Sequence, residues 1–363
     1  MKYRKLIWAC LLAMALPLAQ ADAQFEDPRV LGGTLIRDLR PIYDNQEEAH
    51  PSGVKVAQSG LVFLNFPADA RRAALGDAGV GLLGDGPGAV FLNPGMLGFA
   101  HQRELFFTHA EWIANTKHDV FGAVAQFEGI PGSFALGFIT HDSGSINGTA
   151  INADPASIGF TETGQFSTTD YAISGGWGFQ ITDRFSVGAM LRLAHQELPL
   201  PGGQSADLNA IAVDLGTYFN TGFRNMVLAM SIRNFSEEKE YQRERFELPR
   251  AYRLGLVIDA FSMYGGTPVP HHFDILAEID SPMDFDERWL FGTEYRYKRP
   301  DQSIGFALRG GYKVNHDTED YSFGGGINFS NEDGRGVRAD YAYKHFTSEF
   351  FDAVQMFTVA VTF

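Results

Sequence analysis

One cysteine, Cys10, stands in 363 residues, and basic residues are outnumbered, 29 Lys and Arg against 44 Asp and Glu. The first scarcity excludes a disulfide framework and any metal centre built from thiolates. The second argues against nucleic acid, whose affinity rests on phosphate neutralisation by Lys and Arg. Cys10 also lies within what reads as a secretory signal peptide, residues 1–23, with Lys2, Arg4 and Lys5 ahead of an apolar stretch from Leu6 to Leu18 and a small-residue cleavage site at Ala21-Asp22-Ala23. Lipid attachment at Cys10 would leave only Leu6 to Ala9 as the apolar stretch before it, short of the ~7 residues such a leader needs. Cleavage before Gln24 takes three basic residues and one acid, leaving 26 against 43 and a net charge of −17. Past the leader no run reaches the ~18 consecutive apolar residues of a membrane helix. The exported chain is therefore either soluble or crosses a membrane as strands.

Alternation is what the rest of the sequence offers. Phe357, Val359, Val361 and Phe363 fall on one face of a period-two strand and Met356, Thr358, Ala360 and Thr362 on the other. The same split separates Trp289, Phe291, Thr293, Tyr295 and Tyr297 from Glu294, Arg296 and Lys298, and Val337, Ala339, Tyr341 and Tyr343 from Arg338, Asp340 and Lys344. About fourteen such runs follow one another, beginning near Leu105, His118, Ser133, Asp170, Phe185, Ile211, Val227, Tyr252, Phe273, Glu287, Ser303, Asp320, Gly336 and Ala353. An even number of this size suits an all-β, antiparallel transmembrane barrel; a soluble β-sandwich also alternates. The barrel is favoured because the polar faces mix Gly, Ala and Ser with charges, as a crowded lumen does, and because aromatics gather toward the ends of the apolar faces. Connections sort as well. Short ones such as 128–132 and 182–184 alternate with the long stretches Asp142 to Thr169, Glu197 to Ala210 and Phe235 to Ala251, although Ser262 to His271 is over-long for an inner turn.

Inward faces carry charges of both signs: Asp214, Arg233, Arg253, Asp259, Asp274, Glu278, Glu294, Arg296, Arg309, Arg338 and Asp340. Set across a lumen of low dielectric, they would neutralise one another and hold water or a plug. Catalytic patterns are thin. No G-x-S-x-G elbow is present, and adjacent His271 and His272 point to opposite faces of a strand and cannot share one ion. The acids Asp280, Asp284, Asp286 and Glu287, like Asp317, Glu319 and Asp320, lack the order of a calcium loop and read as solvated surface. We therefore expect no enzyme, no cofactor and no metal.

Ahead of the first strand lies "ADARRAALGDAGVGLLGDGPGAVFLNPGML", Ala68 to Leu97. Its glycines are not followed by a helix and no Walker lysine stands near them, so it is not a phosphate loop. Ala68 to Gly76 has helical propensity and the glycines permit tight turns, which describes a small folded insert.

The segment Phe63 to Leu97 resembles the N-terminal signature of the PorV/PorQ family: an apolar strand, an Ala/Arg/Gly helix and an Asn-Pro-Ala-Gly-Leu type turn. "YAISGGWGFQITDRFSVGAMLRL", "LPRAYRLGL", "FGTEYRY", "LRGGYKV" and the closing "VRADYAYKHFTSEFFDAVQMFTVAVTF" extend the likeness over most of the exported chain. The turn departs from the pattern at Asn93-Pro94-Gly95, where Gly95 replaces the usual alanine. That family is similar to FadL-type barrels of fourteen strands, whose N-terminal segment folds into the lumen. The resemblance thus implies an extension over residues 24–62, a hatch or plug over 63–104 with its turn motif at Asn93, Pro94 and Gly95, and a barrel over 105–363. It also implies a non-enzymatic adaptor or cargo shuttle of type IX secretion in the outer membrane, with lipid, a secretion translocon or cargo proteins as partners and the three long outer stretches as the partner-facing surface. The terminal Phe357, Val359, Val361 and Phe363 resemble the signal read by barrel insertion machinery. The alternative is a FadL-like transporter of small hydrophobic compounds, which apolar residues concentrated between hatch and wall would favour.

Overall fold

The computed structural model describes residues 59–82, 87–100, 102–152, 159–200, 204–241, 244–261, 270–298, 303–331, 333–348 and 351–363. The signal peptide, Cys10, most of the 24–62 extension, the Gly84-Asp85-Gly86 run and most of the 262–271 connection lie outside them.

Alternating apolar residues give strands β1 Glu104–Glu111, β2 Lys117–Gln126, β3 Ser133–Asp142, β4 Ile146–Ile151, β5 Phe160–Phe166, β6 Thr169–Thr182, β7 Phe185–Leu200, β8 Gln204–Asn220 and β9 Val227–Phe235. They continue as β10 Lys239–Tyr241, β11 Glu244–Phe246, β12 Ala251–Asp259, β13 His271–Pro282, β14 Arg288–Lys298, β15 Ile304–Val314, β16 Glu319–Ser330, β17 Gly336–Phe346 and β18 Val354–Thr362. Fourteen of these close a barrel in which each pairs antiparallel with its neighbours along the chain and β18 returns to β1; β4–β5 and β10–β11 are separate two-stranded ribbons inside long connections. Closure leaves the wall without an unpaired edge. Short turns at 127–132, 183–184 and 221–226 share one rim with the longer β12–β13 connection, and the connections between β3 and β6 and between β9 and β12 share the other.

The lipid-facing surface follows the alternation. Phe357, Val359 and Phe363 are 52%, 47% and 59% exposed, while Met356, Thr358 and Ala360 between them are buried. Rings on Phe107, Phe121, Phe138, Tyr171 and His195 run side by side across β1, β2, β3, β6 and β7, with centroids 4.6 to 6.5 Å apart. This is the amphipathic belt expected at a membrane interface.

Three expectations are corrected. The strand expected to begin at Ile211 begins at Gln204, because β7 and β8 stay paired past the wall as far as Leu200 and Gln204. Pro199 is tolerated there since a hairpin projecting beyond the barrel has no further strand to bond. The apolar strand implied at Phe63 is a 3-10 helix, Val62–Asn65. Inside a closed wall there is no edge to join, so its amides bond locally, Leu64 N to Leu61 O at 3.1 Å and Phe66 N to Phe63 O at 3.2 Å. The Ala68 to Gly76 helix shrinks to one turn, α1, Ala70–Ala73. It is capped by Asp69, whose carboxylate accepts from Arg72 N at 2.8 Å. It stops because Gly76 adopts φ 67° and gives its N–H to Ser322 Oγ on β16 at 2.9 Å.

Candidate functional site

Residues 61–82 and 87–99 fill the lumen, and they meet two different walls. Strands β12–β17 supply the charged one. Arg71 of α1 reaches Glu294 on β14 with both Nε (3.0 Å) and Nη2 (2.6 Å). Glu294 also accepts from Arg309 Nε at 2.8 Å, Arg309 continues to Asp340 at 2.7 Å, Asp340 accepts from Arg338 at 2.8 Å, and Arg338 ends on Glu104 at 3.2 Å. Asp77 receives Lys313, and Lys344 at 2.9 Å, and both ammonium groups also contact Glu319. Burial alone would raise the Asp77 carboxyl, but these two cations offset that and hold it below its ordinary range. Glu278 accepts from the amides of Gly79 and Val80 at 2.8 and 3.0 Å and is paired with Arg253 at 3.2 Å. Arg71 and Asp77 thus have their countercharges on the wall, while Arg72 pairs with Asp69 within the plug at 2.6 Å, so the desolvation of each is offset.

Strands β1–β3 and β6–β8 supply the apolar wall. Phe106, Val120, Ile139, Ala172, Met190 and Ala210 pack against Phe63, Leu64, Val90, Phe91 and Leu97 of the plug. Here the plug comes close enough for backbone to touch backbone. Gly178, Gly188 and Gly216 are successive cross-strand partners on β6, β7 and β8, and Pro94-Gly95 lies over them: a Cβ on Gly188 would strike Pro94 O, and one on Gly216 would strike Asn93 Oδ1. A Cβ on Gly95 would lie 2.8 Å from Gly216 C and Thr217 N, which accounts for glycine where the resemblance leads one to expect alanine. Asn93 is fully buried. It caps the 3-10 helix Pro94–Phe99 by accepting from Gly95 N at 2.9 Å, and its amide donates to Val80 O at 2.7 Å and Thr217 O at 3.0 Å. Gly95 O in turn accepts from Ser186 Oγ at 2.6 Å.

Of the lumen charges read from the sequence, Glu294, Arg296, Arg309, Arg338 and Asp340 are joined in one network, with Arg296 reaching Asp274 at 2.7 Å, and Arg253 and Glu278 form a second. Asp214 pairs instead with Arg192 at 2.8 Å, beside Asn234, which adopts φ 55° where β9 bulges against β8. Arg233 departs from the pairing expectation: its guanidinium donates to the carbonyl of Leu64 at 2.8 Å, and no carboxylate among the described residues lies within ion-pair distance of it. Asp280 and Glu319 are not solvated surface. Asp280 is buried against Arg253 at 3.1 Å, Glu319 is half-buried against the two lysines, and Asp284 of the same acidic cluster is buried too. The plug residues Arg71 and Asp77 and the wall residue Lys313 escaped sequence reading, because their partners across the lumen are remote: Arg71 and Glu294 are 223 positions apart, Asp77 and Lys313 236. Phe357, Val359, Val361 and Phe363 lie on the lipid side of the closing strand, away from the lumen.

No family model matches the chain, and no curated protein does. Among solved structures it is similar to the toluene transporter TbuX of Ralstonia pickettii (TM-score 0.55, 11% identity, covering 82% of this chain and 98% of that one). It is also similar to the toluene transporter TodX of Pseudomonas putida (0.53, 12%, 85% and 98%) and to the monoaromatic hydrocarbon channel CymD (0.53, 11%, 81% and 96%). At such identities the likeness is one of fold. The chain is a closed, fourteen-stranded antiparallel barrel, similar in fold to FadL-type barrels, and its place is the outer membrane.

Proposed function

We propose that the protein conducts small hydrophobic compounds across the outer membrane, along the seam between plug and apolar wall. The observation that carries this reading is the asymmetry of the lumen: ion pairs hold one side of the plug to β12–β17, while the side facing β1–β3 and β6–β8 is held by apolar contact, a glycine seat and neutral hydrogen bonds such as Asn93 to Thr217 O and Ser186 to Gly95 O. Apolar surfaces separate and repack with no buried charge left unpaired, whereas parting the ion pairs leaves several. Movement of the plug therefore opens the apolar side first and lines the opening with Phe106, Val120, Ile139 and Met190, a surface suited to hydrocarbon. The named activities of TbuX, TodX and CymD agree with this direction.

The secretion-adaptor role rests on the sequence resemblance to PorV/PorQ. It would use the long outer connections rather than the seam, and no feature of the lumen favours it. Uptake of labelled toluene by cells with and without the protein separates the two, together with mass spectrometry of what co-purifies with the tagged protein from detergent-solubilised outer membranes. The channel reading expects uptake to fall in the deletion strain. Unchanged uptake, with a large translocon barrel or secreted cargo on the affinity column, would replace it with the adaptor.

A further inference from the structure

The apolar wall is interrupted at the rim of the long connections by polar atoms that the plug leaves unsatisfied. His118 on β2 is the cross-strand partner of His141 on β3, and His141 that of Asp170 on β6. His118 is fully buried. Both of its ring nitrogens, Nδ1 of His141 and Oδ1 of Asp170 are buried with no hydrogen-bond partner. Buried polar atoms are nearly always paired, so several unpaired ones side by side mark a place where something else can bind.

What occupies the space now is the plug's own phenyl ring. Phe66 stacks on Trp112 with centroids 4.3 Å apart and planes at 26°. It sets its edge toward His118 at 5.4 Å and 77° and toward His141 at 5.3 Å and 71°. An indole face and two imidazoles around one ring is a binding box for an aromatic group. Phe66 fills its apolar part but has nothing to offer the ring nitrogens. Phe66 occupies the space between the indole and the two imidazoles, so a ligand can enter only as Phe66 leaves.

We propose that Trp112, His118 and His141 bind a small monoaromatic compound bearing a hydroxyl group, and that Phe66 holds the box until this compound displaces it. A neutral imidazole carries one N–H donor and one acceptor nitrogen. A phenolic hydroxyl can donate to the acceptor of one ring and accept from the N–H of the other, while its own ring takes the stack on Trp112. Toluene supplies the ring but leaves the same atoms unpaired, and a carboxylate would meet the unpartnered oxygen of Asp170. The inference rests on the channel reading and narrows its substrate class. The box lies on the apolar side, where the seam begins.

Calorimetric titration of the whole protein in detergent micelles, with phenol and with toluene as probes, tests it. A site that hydrogen-bonds a hydroxyl discriminates strongly against the analogue lacking one, so phenol should bind about tenfold tighter than toluene or more. His118→Phe should erase that preference while toluene still binds, and Phe66→Ala should tighten phenol severalfold. Heat-modifiable migration shows whether each variant forms its barrel, and Phe66→Ala, which leaves the wall intact, decides the matter if His118→Phe does not assemble. Equal affinities for the two probes in the wild-type protein, or an unchanged phenol affinity in Phe66→Ala, would overturn the box. Cell uptake of toluene decides the channel separately: retained uptake with no phenol preference sinks the box alone, and phenol binding without uptake of either compound sinks the channel alone.

Discussion

The two halves of the lumen hold the same plug by different physics. On β12–β17 the plug is held by long charged side chains that are strong only as a connected set, Arg71 to Glu294 to Arg309 to Asp340, with the backbone of Leu75 and Gly76 also resting on Gly292 and Gly311. On β6–β8 the contact is backbone on backbone: the wall has no side chains at Gly178, Gly188 and Gly216, and Pro94-Gly95 lies on the strands. Charge complementarity resists separation steeply but tolerates small shifts. A backbone seat tolerates no added atom but little is lost electrostatically once it parts. A plug held in this way has a fixed side and a releasable side, which is what a seam for hydrophobic compounds requires.

The largest effect should come from cutting the charged side at its centre. Glu294→Ala leaves Arg71 and Arg309 buried without their shared carboxylate, and breaking a buried pair in this way costs about 3–5 kcal/mol. The expected outcome is rapid protease cleavage within 61–99 of a barrel that still migrates as folded. If cleavage stays as slow as in the wild type, the ion pairs do not anchor the plug.

Filling the glycine seat tests the other side. Gly216→Val drives side-chain atoms into Asn93 and Pro94, and overpacking of this kind costs about 1–3 kcal/mol. Because the charged side stays intact, the plug should tilt rather than leave, so toluene uptake should rise while protease resistance falls less than in Glu294→Ala. Equal proteolysis in the two variants would erase the distinction between the sides. Asn93→Ala is the milder form of the same test. It removes the amide that donates to Val80 O and Thr217 O, leaving buried carbonyls short of a donor at about 1–3 kcal/mol in total, with no new clash. Protease sensitivity should rise modestly, and the urea midpoint of the barrel should not move; a shift of the barrel midpoint instead would place Asn93 among the determinants of the wall.

Much of the wall was legible in the sequence and little of what joins plug to wall was. Strand starts from Leu105 to Ala353 lie within two residues of the observed ones except at Ile211, because period-two alternation in a lipid-facing barrel is enforced at every position. The inward direction of Glu294, Arg309 and Asp340 followed from the same alternation. Their partners did not, since pairing across a lumen depends on how strands curve and on where a non-strand segment folds. The glycine seat did leave a signal: Gly178, Gly188 and Gly216 interrupt three consecutive strands, and glycine within a strand often marks a close backbone approach. Turning that signal into a site required the register, which puts the three side by side. His118 and His141 were invisible as a pair for the same reason.

The smallest effect is one of pH, and it should act on the charged side alone. Asp77 sits between Lys313 and Lys344, and its carboxyl is held below its ordinary range in the folded protein. A carboxyl depressed on folding contributes stability that is complete above its unfolded value of about 3.9 and is lost as pH falls through the lower folded value. The contribution of Asp77 to plug protection should therefore be flat from neutral pH down to about 4 and decline only below it. Asp77→Asn should lower protection at pH 7 and remove the acid limb, since an amide offers the lysines no charge at any pH. Gly216→Val should keep the acid limb, because no carboxylate takes part in its seat. An acid limb that survives in Asp77→Asn would place the titrating anchor elsewhere in the network, with Asp69, also depressed by its Arg72 partner, as the next carboxyl to replace.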